Sequence, residues 1–199
     1  PPRCQPILVE PACNVSQSSP CYSDFLFMAK VVNVHQRTLE ATANEVGALI
    51  DSLSSKKDFL WPTLSWPPLK FDRPLGEGAA GGHGPIRYFV EEYTPGQSVR
   101  FRFTGPDGFN GYHEFQTVVQ GTGSTVLRHS LKMTTRGFAR LFWPVVYRPL
   151  HDALVEDALT TAEASLGLSP RSEPWSPWVR FVRWALTGGK AGPQRISRL

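Results

Sequence analysis

Hydrophobic and polar residues alternate with a period of two through the middle of the chain. The runs "PIRYFVEE", "SVRFRFT", "YHEFQTVV" and "TVLRHSLKM" each place aromatic or aliphatic residues on one side and polar residues on the other. Such alternation is typical of β-strands that have one buried and one solvent-facing side. Because the short turns "TPG", "GPDGFNG" and "QGTGS" separate the runs, the pattern predicts consecutive antiparallel strands.

The residues before this region predict another strand and a short helix. Over residues 31–39, Val32 and Val34 alternate with polar neighbours, as in a strand. In "EATANEVGALIDSL", Thr42 and Glu45 have the spacing of a capping box, and apolar residues then recur every three or four positions. The prolines of "WPTLSWPPLKF" exclude a long helix after it, and its large aromatic residues indicate a segment that covers apolar surface.

Residues 138–166 have the period of one long helix. Pro144 and Pro149 are expected to kink its first half, and Gly167 ends it. The most economical way to bury both patterns places this helix in the concave side of a twisted sheet, which leaves unfilled volume between them. The expected fold class is therefore α+β, with a curved antiparallel sheet wrapped around a long C-terminal helix and a short helical segment after the first strand.

The two ends of the chain lack these periods. Residues 1–27 contain all three cysteines, and Met28 then leads directly into a strand pattern. We interpret Met28 as the native start and residues 1–27 as a disordered or non-native leader, with a genuine flexible arm as the alternative. Glycine and proline signals confine the folded domain to residues 28–168. Residues 169–199 are then a proline-rich linker, a short amphipathic helix and a basic tail.

Composition narrows the functional classes. The net charge of +4 is not concentrated in any basic run, so nothing indicates a nucleic-acid partner. The sequence contains no stretch of eighteen apolar residues, so it predicts no integral membrane segment. Cys4, Cys13 and Cys21 lie together near the N-terminus, whereas a disulfide-stapled secreted domain spreads its cysteines through the fold. This distribution favours a cytoplasmic protein.

The amphipathic piece "WVRFVRWAL" offers two interpretations. Its helical spacing groups Trp178, Phe181, Val182 and Ala185 on one side, with its arginines elsewhere. We expect this side to pack on the chain's own domain. The alternative is contact with a membrane surface or another protein through Trp178, Phe181 and Trp184.

Two strand histidines are candidates for chemistry. His129 lies between Leu127 and Leu131 on the apolar side of its strand, and a buried histidine needs partners for its ring nitrogens. It is either a satisfied wall residue or a group that binds a ligand or moves a proton. His113 occupies the same side of the preceding strand, provided that the register does not slip by one residue.

The other histidines give weaker signals. "GEGAAGGHG" is followed by a strand rather than a helix, so we expect an edge segment with close backbone approach, and His83 exposed, instead of a phosphate site. His151, Asp152 and Glu156 are expected on a solvated helix side, whereas Asp157 approaches the apolar stripe and pairs with an inward polar group. No histidines have helical metal-ligand spacing, so no metal site is expected.

The order of these elements resembles the START/Bet v 1-like helix-grip superfamily (polyketide cyclase/dehydrase-like, SRPBCC). "VVNVHQRTLEATANEVGALIDSL" looks like its opening strand and first helix, "GPIRYFVEEYTPGQSVRFRF" like its central hairpin, and "ALVEDALTTAEASL" like its C-terminal grip helix. The resemblance covers residues 28–167 and implies the fold. It implies less about function, because this scaffold carries hydrophobic ligands, cyclises polyketides and assists chaperones. No catalytic motif matches, so no catalytic residue is carried over.

Three functions follow from this architecture. The first is cytoplasmic binding of a hydrophobic or aromatic small molecule, without a cofactor, in a cavity between sheet and helix. The second is a polyketide cyclase/aromatase-type enzyme, without metal or nucleotide cofactor, that uses His129 or Tyr88 for proton transfer. The third is a structural interaction domain whose cavity is filled by its own side chains. The residues predicted to bind a ligand are Trp61, Trp66, Tyr88, Phe101, Phe103, Phe115, Leu127, His129, Leu131, Leu150 and Leu154.

Overall fold

A computed structural model describes residues 28–188. The strands are β1 (Met28–Leu39), β2 (Lys70–Phe71), β3 (Ala80–His83), β4 (Ile86–Thr94), β5 (Ser98–Gly105), β6 (Phe109–Gly121) and β7 (Ser124–Arg136). The helices are α1 (Ala43–Asp51), α2 (Phe138–Phe142), α3 (Arg148–Ser165) and α4 (Pro177–Leu186), with a π-helical turn (Trp143–Tyr147) between α2 and α3.

All seven of these strands form one antiparallel sheet in the order β1-β7-β6-β5-β4-β3-β2. The register places Phe101 of β5 beside His113 of β6, which in turn lies beside Leu131 of β7. These side chains are buried on the inner side of the sheet. The predicted α+β class, the antiparallel order and the inward aromatic side are therefore confirmed.

The predicted long helix is divided into α2, the π-helical turn and α3. Pro144 lies inside the π-helical turn, where a wider turn accommodates the missing N–H group, and Pro149 lies in the first turn of α3, where that group is not needed. Val155, Ala158 and Leu159 of α3 are completely buried against the sheet. The long C-terminal helix in the concave side of the sheet is confirmed.

Helix α1 is held against the turn between β4 and β5. The predicted capping box is present, because Thr42 Oγ1 accepts from the Glu45 N–H and Glu45 accepts from the Thr42 N–H. A Cβ atom on Gly47 would lie 2.2 Å from the carbonyl oxygen of Gly96, so only glycine permits this approach. The Gly96 N–H donates to the Asp51 carboxylate at 2.9 Å, which fixes the turn to the end of α1.

In strand β1 the polar side chains face α3 and the apolar ones face away from it, the reverse of the other long strands. Val32 and Val34 are 69% and 50% exposed, whereas Asn33, His35 and Arg37 point towards α3. The period of two therefore predicts the strand, but the side of β1 that meets the helix is polar. The reason lies in α3, which presents carboxylates at this edge of the sheet.

Helix α4 lies beyond Leu168, where the sequence analysis placed the end of the domain, and it packs on α3; the domain bounds themselves stay a prediction. Val179 and Val182 of α4 are buried, so the expected packing of this helix on its own domain occurs. The predicted buried side was wrong, since Trp178, Phe181 and Ala185 are exposed and Arg183 turns inward. The guanidinium lies 4.3 Å from the Trp66 ring and 4.2 Å from the Trp175 ring, a cation–π arrangement on the inward side of α4.

Two predictions fall on the ends of the chain. The leader, residues 1–27, and most of the basic tail lie outside the described residues, so the interpretation of Met28 as the native start stays a prediction. Within residues 28–188, no helix has the length and hydrophobicity that crossing a bilayer requires.

Candidate functional site

A cavity of about 570 Å³ lies between the concave side of the sheet and α3. Strands β5, β6 and β7 form one wall, and α3 with the π-helical turn forms the opposite wall. The turn between β3 and β4, the segment containing Trp61 and Trp66, and α4 close the sides. The volume is in the range of sites that hold drug-sized ligands, and the walls are predominantly apolar.

Most of the predicted ligand-binding residues border this cavity. On the sheet they are Phe103, Phe115, His129 and Leu131; on α3 they are Leu150 and Leu154; at the side they are Trp61 and Trp66. Three elements that are distant in sequence therefore meet around one volume. Whether these side chains bind a ligand stays a prediction.

Tyr88, Phe101 and Leu127 do not border the cavity. They are completely buried in the core, and Phe101 stacks on Phe71 with ring centroids 5.8 Å apart. Alternation assigned these residues to the correct side of the sheet, but it carries no information about depth along a strand. The segment before β3 packs over this end of the sheet, so the side chains there belong to the hydrophobic core and not to the cavity wall.

Several residues of the cavity wall were not predicted from the sequence. Phe142, Trp143 and Tyr147 come from α2 and the π-helical turn, and Phe109 comes from the start of β6. The signal for Phe109 was present, because it precedes His113 by four positions and so shares its side of the strand. The others depend on how the helix bends at Pro144, which periodicity does not specify.

Two buried histidines form a hydrogen-bonded pair in the sheet wall. His113 Nδ1 and His129 Nε2 are 3.3 Å apart, and the residues are only 5% and 2% exposed. Burial lowers the pKa of both imidazoles well below the ordinary value, so both are neutral at physiological pH. Their remaining nitrogens, His113 Nε2 and His129 Nδ1, have no hydrogen-bond partner within residues 28–188.

His83 turns into the cavity, so the expectation that it is exposed was wrong. Its Nδ1 atom lies 2.9 Å from the Tyr88 hydroxyl, and its ring packs 4.8 Å from that of Trp61. Burial lowers the pKa of His83 below its ordinary value. The expected close backbone approach is confirmed, because a Cβ atom on Gly82 would lie 1.9 Å from the Ile86 carbonyl oxygen.

A charged network joins β1 to α3 behind the cavity. His35 Nδ1 lies 2.7 Å from Glu156 and His35 Nε2 lies 3.2 Å from Asp152. Arg37 donates to Glu156 at 2.6 Å and to Glu163 at 2.9 Å. The expected solvated helix side was therefore wrong, because these carboxylates are partly or fully buried against the polar side of β1.

His35 carries a positive charge in this network. Burial alone lowers its pKa, but the hydrogen bonds and charges of Asp152 and Glu156 outweigh burial and raise the pKa to about 9. Burial likewise tends to raise the pKa of Asp152, whereas hydrogen bonds from His151 and His35 hold it well below its usual range. Both carboxylates are thus ionised around a protonated imidazole.

Within the described part of the chain, one group has atoms spaced for a metal ion: His35, His151 and Asp152, all within 4.8 Å of one another. Both nitrogens of His35 already lie within hydrogen-bond distance of carboxylates. A protonated imidazole has no lone pair for a metal, so the arrangement fits an ion pair better than a ligand set.

Asp157 follows the prediction that it pairs with an inward polar group. Its Oδ2 atom accepts from the indole N–H of Trp66 at 2.8 Å and from that of Trp175 at 2.9 Å. Arg183 lies over both rings. The aspartate therefore ties the side of the cavity, α3 and the segment before α4 together.

The outer side of α4 carries exposed aromatic residues. Trp178, Phe181 and Trp184 are 44%, 52% and 54% exposed, and their rings lie in a row with centroid separations of 5.6 and 6.1 Å. Contact of these residues with a membrane surface or another protein stays a prediction.

Comparison with solved structures identifies the fold. A protein from Thermobifida fusca, solved by NMR, matches 71% of this chain and 97% of its own, with a TM-score of 0.53 and 17% identity. Norcoclaurine synthase from Thalictrum flavum, in complex with dopamine and hydroxybenzaldehyde, matches 85% of this chain and 100% of its own, with a TM-score of 0.51 and 13% identity. This chain has the Bet v 1-like helix-grip fold. No family model and no curated protein matches the sequence.

The helix-grip fold explains where the cavity lies. In this arrangement the sheet curves around one helix, and a single helix does not fill the concave side along its whole length. At the identities above, the comparisons establish the fold alone, so the function has to be argued from the cavity itself.

Proposed function

We propose that this protein binds an aromatic or otherwise hydrophobic small molecule in the cavity between the sheet and α3, inside the cell. The observation that carries the proposal is the cavity of about 570 Å³ whose walls are predominantly aromatic and aliphatic. Burial of apolar ligand surface supplies about 25 cal/mol per Å², so 200 Å² of ligand surface contributes about 5 kcal/mol. The confinement of the cysteines to the first 21 residues supports the intracellular location.

The fold comparison supports the same class of ligand. Norcoclaurine synthase has this fold and was solved with dopamine and hydroxybenzaldehyde, two small aromatic molecules with polar substituents. The cavity described above combines aromatic walls with a few polar side chains, which suits molecules of that kind. The ligand proposed for this chain is of that class and not one of those two molecules in particular.

Fluorescence titration with N-phenyl-1-naphthylamine tests the proposal. We expect the wild-type protein to bind the probe, and Leu131→Trp combined with Leu154→Trp to weaken binding by at least tenfold, because the new rings fill the cavity from sheet and helix. The matched control is Val119→Trp with Ala164→Trp, at exposed positions on β6 and α3. Equal weakening in both double variants, or no binding at all, contradicts the proposal and favours a domain whose interior is closed.

Native mass spectrometry of protein from its own host gives an independent test. A co-purifying hydrophobic molecule, lost from the Leu131→Trp/Leu154→Trp variant and kept by the control, supports ligand binding in the cavity. A molecule retained equally by both variants would place the bound ligand elsewhere on the protein.

A second candidate is an enzyme of the polyketide cyclase/aromatase type that works in the same cavity. The observation in its favour is the hydrogen-bonded histidine pair in an otherwise apolar wall, since His129 can exchange a proton with a bound ligand. Tyr88 is a poorer candidate, because its hydroxyl contacts His83 and it does not border the cavity. Turnover of a poly-β-keto surrogate that is lost in His129→Ala would favour this function over binding alone.

A further inference from the structure

The arrangement of His113 and His129 indicates the chemical class of the ligand more closely than the size and apolar walls of the cavity do. His113 and His129 lie on neighbouring strands, β6 and β7, and both line the cavity. Their hydrogen bond uses His113 Nδ1 and His129 Nε2, which leaves His113 Nε2 and His129 Nδ1 as the outer nitrogens. Both outer nitrogens are buried and have no hydrogen-bond partner in residues 28–188.

The protonation of the pair limits what these outer nitrogens can do. A neutral imidazole has one N–H group and one lone pair. One hydrogen bond between two neutral imidazoles uses one donor and one acceptor, so the outer nitrogens always consist of one donor and one acceptor. If His113 donates to His129, His129 Nδ1 carries the outer N–H group; if His129 donates, His113 Nε2 carries it.

The surroundings keep the pair uncharged. Around His113 lie the rings of Tyr88, Phe101 and Phe103, with centroids 4.8, 4.9 and 5.1 Å away. Around His129 lie the rings of Phe115 and His151, at 4.7 and 5.0 Å.

The charged groups of β1 and α3 beside the pair are engaged with one another, since His35, the register partner of His129, lies within hydrogen-bond distance of Asp152 and Glu156. The carboxylates of Asp152 and Glu156 on α3 accept from His35, Arg37 and other residues behind the cavity wall. An aromatic surrounding offers no counter-charge, so an added proton on the pair would be buried without compensation.

We propose that the His113–His129 pair is the polar subsite of the cavity and selects ligands with a neutral hydroxyl group, such as a phenol or an alcohol on an aromatic ring. A hydroxyl group both donates and accepts, so it satisfies either outer nitrogen whichever tautomer the pair adopts. An ether satisfies only the donor. A carboxylate or an ammonium group brings a charge that the aromatic rings around the pair do not balance, since the cation that borders the cavity, Arg183, lies at its side over Trp66 and Trp175. This inference rests on the proposed function, because it requires a ligand in the cavity.

Calorimetric titration with four naphthalenes tests the inference: naphthalene, 2-methoxynaphthalene, 2-naphthol and 2-naphthoate. We expect 2-naphthol to bind about five- to tenfold tighter than naphthalene, the effect of one buried hydrogen bond, and tighter than 2-methoxynaphthalene, which can only accept. We expect 2-naphthoate to bind at least about tenfold more weakly than 2-naphthol, because a buried anion is costly. In His113→Phe/His129→Phe, naphthalene binding is retained and the preference for 2-naphthol is lost.

The control variant is Leu150→Ala on α3, which reduces the opposite wall of the cavity and leaves the strands that carry the pair unchanged. It is expected to weaken the binding of naphthalene, 2-methoxynaphthalene and 2-naphthol by the same factor. If the wild-type protein binds naphthalene but does not prefer 2-naphthol to 2-methoxynaphthalene, this inference fails while the proposed function stands. If no naphthalene binds, the proposed function fails instead.

A measurement on the wild-type protein covers the case in which the double histidine variant does not fold. Nitrogen-15 NMR of the imidazole rings at pH 7 is expected to show two neutral rings that share one hydrogen bond. Addition of 2-naphthol is expected to shift the signal of at least one outer nitrogen, whether that nitrogen is the donor or the acceptor, and 2-methoxynaphthalene only that of the donor. Imidazolium signals for this pair, or no response of either nitrogen to bound 2-naphthol, would overturn the inference.

Discussion

The cavity wall and the β1–α3 contact bury the same type of side chain in opposite states. His129 faces the cavity among aromatic residues, and burial lowers its pKa well below the ordinary value. His35 lies at the contact between β1 and α3, against Asp152 and Glu156, which raise its pKa to about 9. The two residues are register partners on β1 and β7, and the ring of His151 contacts both, with centroids 5.0 Å from His129 and 6.0 Å from His35. Neighbouring carboxylates, rather than burial alone, therefore decide which histidine is charged.

The charged contact between β1 and α3 explains how α3 is held next to an unfilled cavity. A helix usually attaches to a sheet through close apolar packing, and α3 lacks part of that packing wherever the cavity lies. On the β1 side, Arg37 and His35 bind the carboxylates of Asp152, Glu156 and Glu163 instead. We infer that this network holds α3 in place along the edge where the sheet is polar. The helix can then leave unfilled space on its other side.

Arg37→Met gives the largest expected effect, because it removes the cation that joins two carboxylates. The Arg37 side chain is 9% exposed and that of Glu163 is 3% exposed, so the substitution leaves buried negative charge with fewer partners. We expect the free energy of unfolding to fall by about 3 kcal/mol, as measured by urea denaturation at pH 7.

The matched control for Arg37→Met is Arg128→Met on the outer side of the same sheet. Arg128 donates to Gln36 at an exposed site, so we expect a change within about 0.5 kcal/mol. Similar losses in both variants would show that the β1–α3 network contributes no more than an ordinary surface contact. The account of how α3 is held would then be wrong.

The charge on His35 predicts a loss of stability in mild alkali. Its folded pKa of about 9 lies above the ordinary value of 6.5, so the imidazolium stabilises the fold fully below pH 6.5 and this contribution is lost as the pH rises to 9. The full contribution is on the order of 3 kcal/mol. Urea denaturation between pH 6 and 9.5 is expected to show this decline in the wild-type protein and a nearly flat profile in His35→Gln.

His129→Phe is the comparison that sharpens the pH prediction. The folded pKa of His129 lies below its ordinary value, so His129 stays neutral in the folded protein at pH values where the unfolded chain already takes up a proton. His129 therefore leaves stability unaffected above pH 6.5 and lowers it as the pH falls below that value. The substitution is expected to reduce the loss of stability in acid and to leave the alkaline decline unchanged. If His35→Gln and His129→Phe alter the same limb of the profile, the assignment of opposite charge states is wrong.

The alternating strands were predictable from the sequence because their pattern is local. Phe103, Phe115 and Leu131 occupy the inner side that period-two spacing assigned to them. Strand β1 shows the limit, because the same period does not say which side faces the helix. The choice there depends on Asp152 and Glu156, more than a hundred residues away, through pairing that no local pattern contains.

The cavity histidines show a second limit. His129 was recognisable because its flanking residues are leucines, whereas His83 looked exposed in a glycine-rich stretch. The hairpin turns His83 inward to meet Tyr88, a contact that depends on the close approach of two backbones at Gly82. The inward turn of Arg183 likewise depends on Trp66 and Trp175, two aromatic residues far apart in the chain.

Apart from the control variants, Trp66→Phe gives the smallest expected effect, and it tests the polar contact at the side of the cavity. It removes one of two indole N–H groups that donate to Asp157, while Trp175 and Arg183 remain. Because the acceptor is a buried carboxylate, we expect a loss of about 1 to 2 kcal/mol in the free energy of unfolding. The loss is smaller than in Arg37→Met because Asp157 keeps the Trp175 N–H group as a donor.

Trp61→Phe provides the comparison for Trp66→Phe, since Trp61 donates to the neutral Pro67 carbonyl oxygen at 2.9 Å and borders the same cavity. Loss of a neutral hydrogen bond is expected to cost about 1 kcal/mol or less. Both variants remove a similar volume from the side of the cavity, and phenylalanine at position 66 keeps a ring face for Arg183. The difference between the variants therefore mainly reports the charge on Asp157. Equal losses would show that this carboxylate stabilises the side of the cavity no better than a peptide carbonyl does, and that charge matters only at the β1–α3 contact.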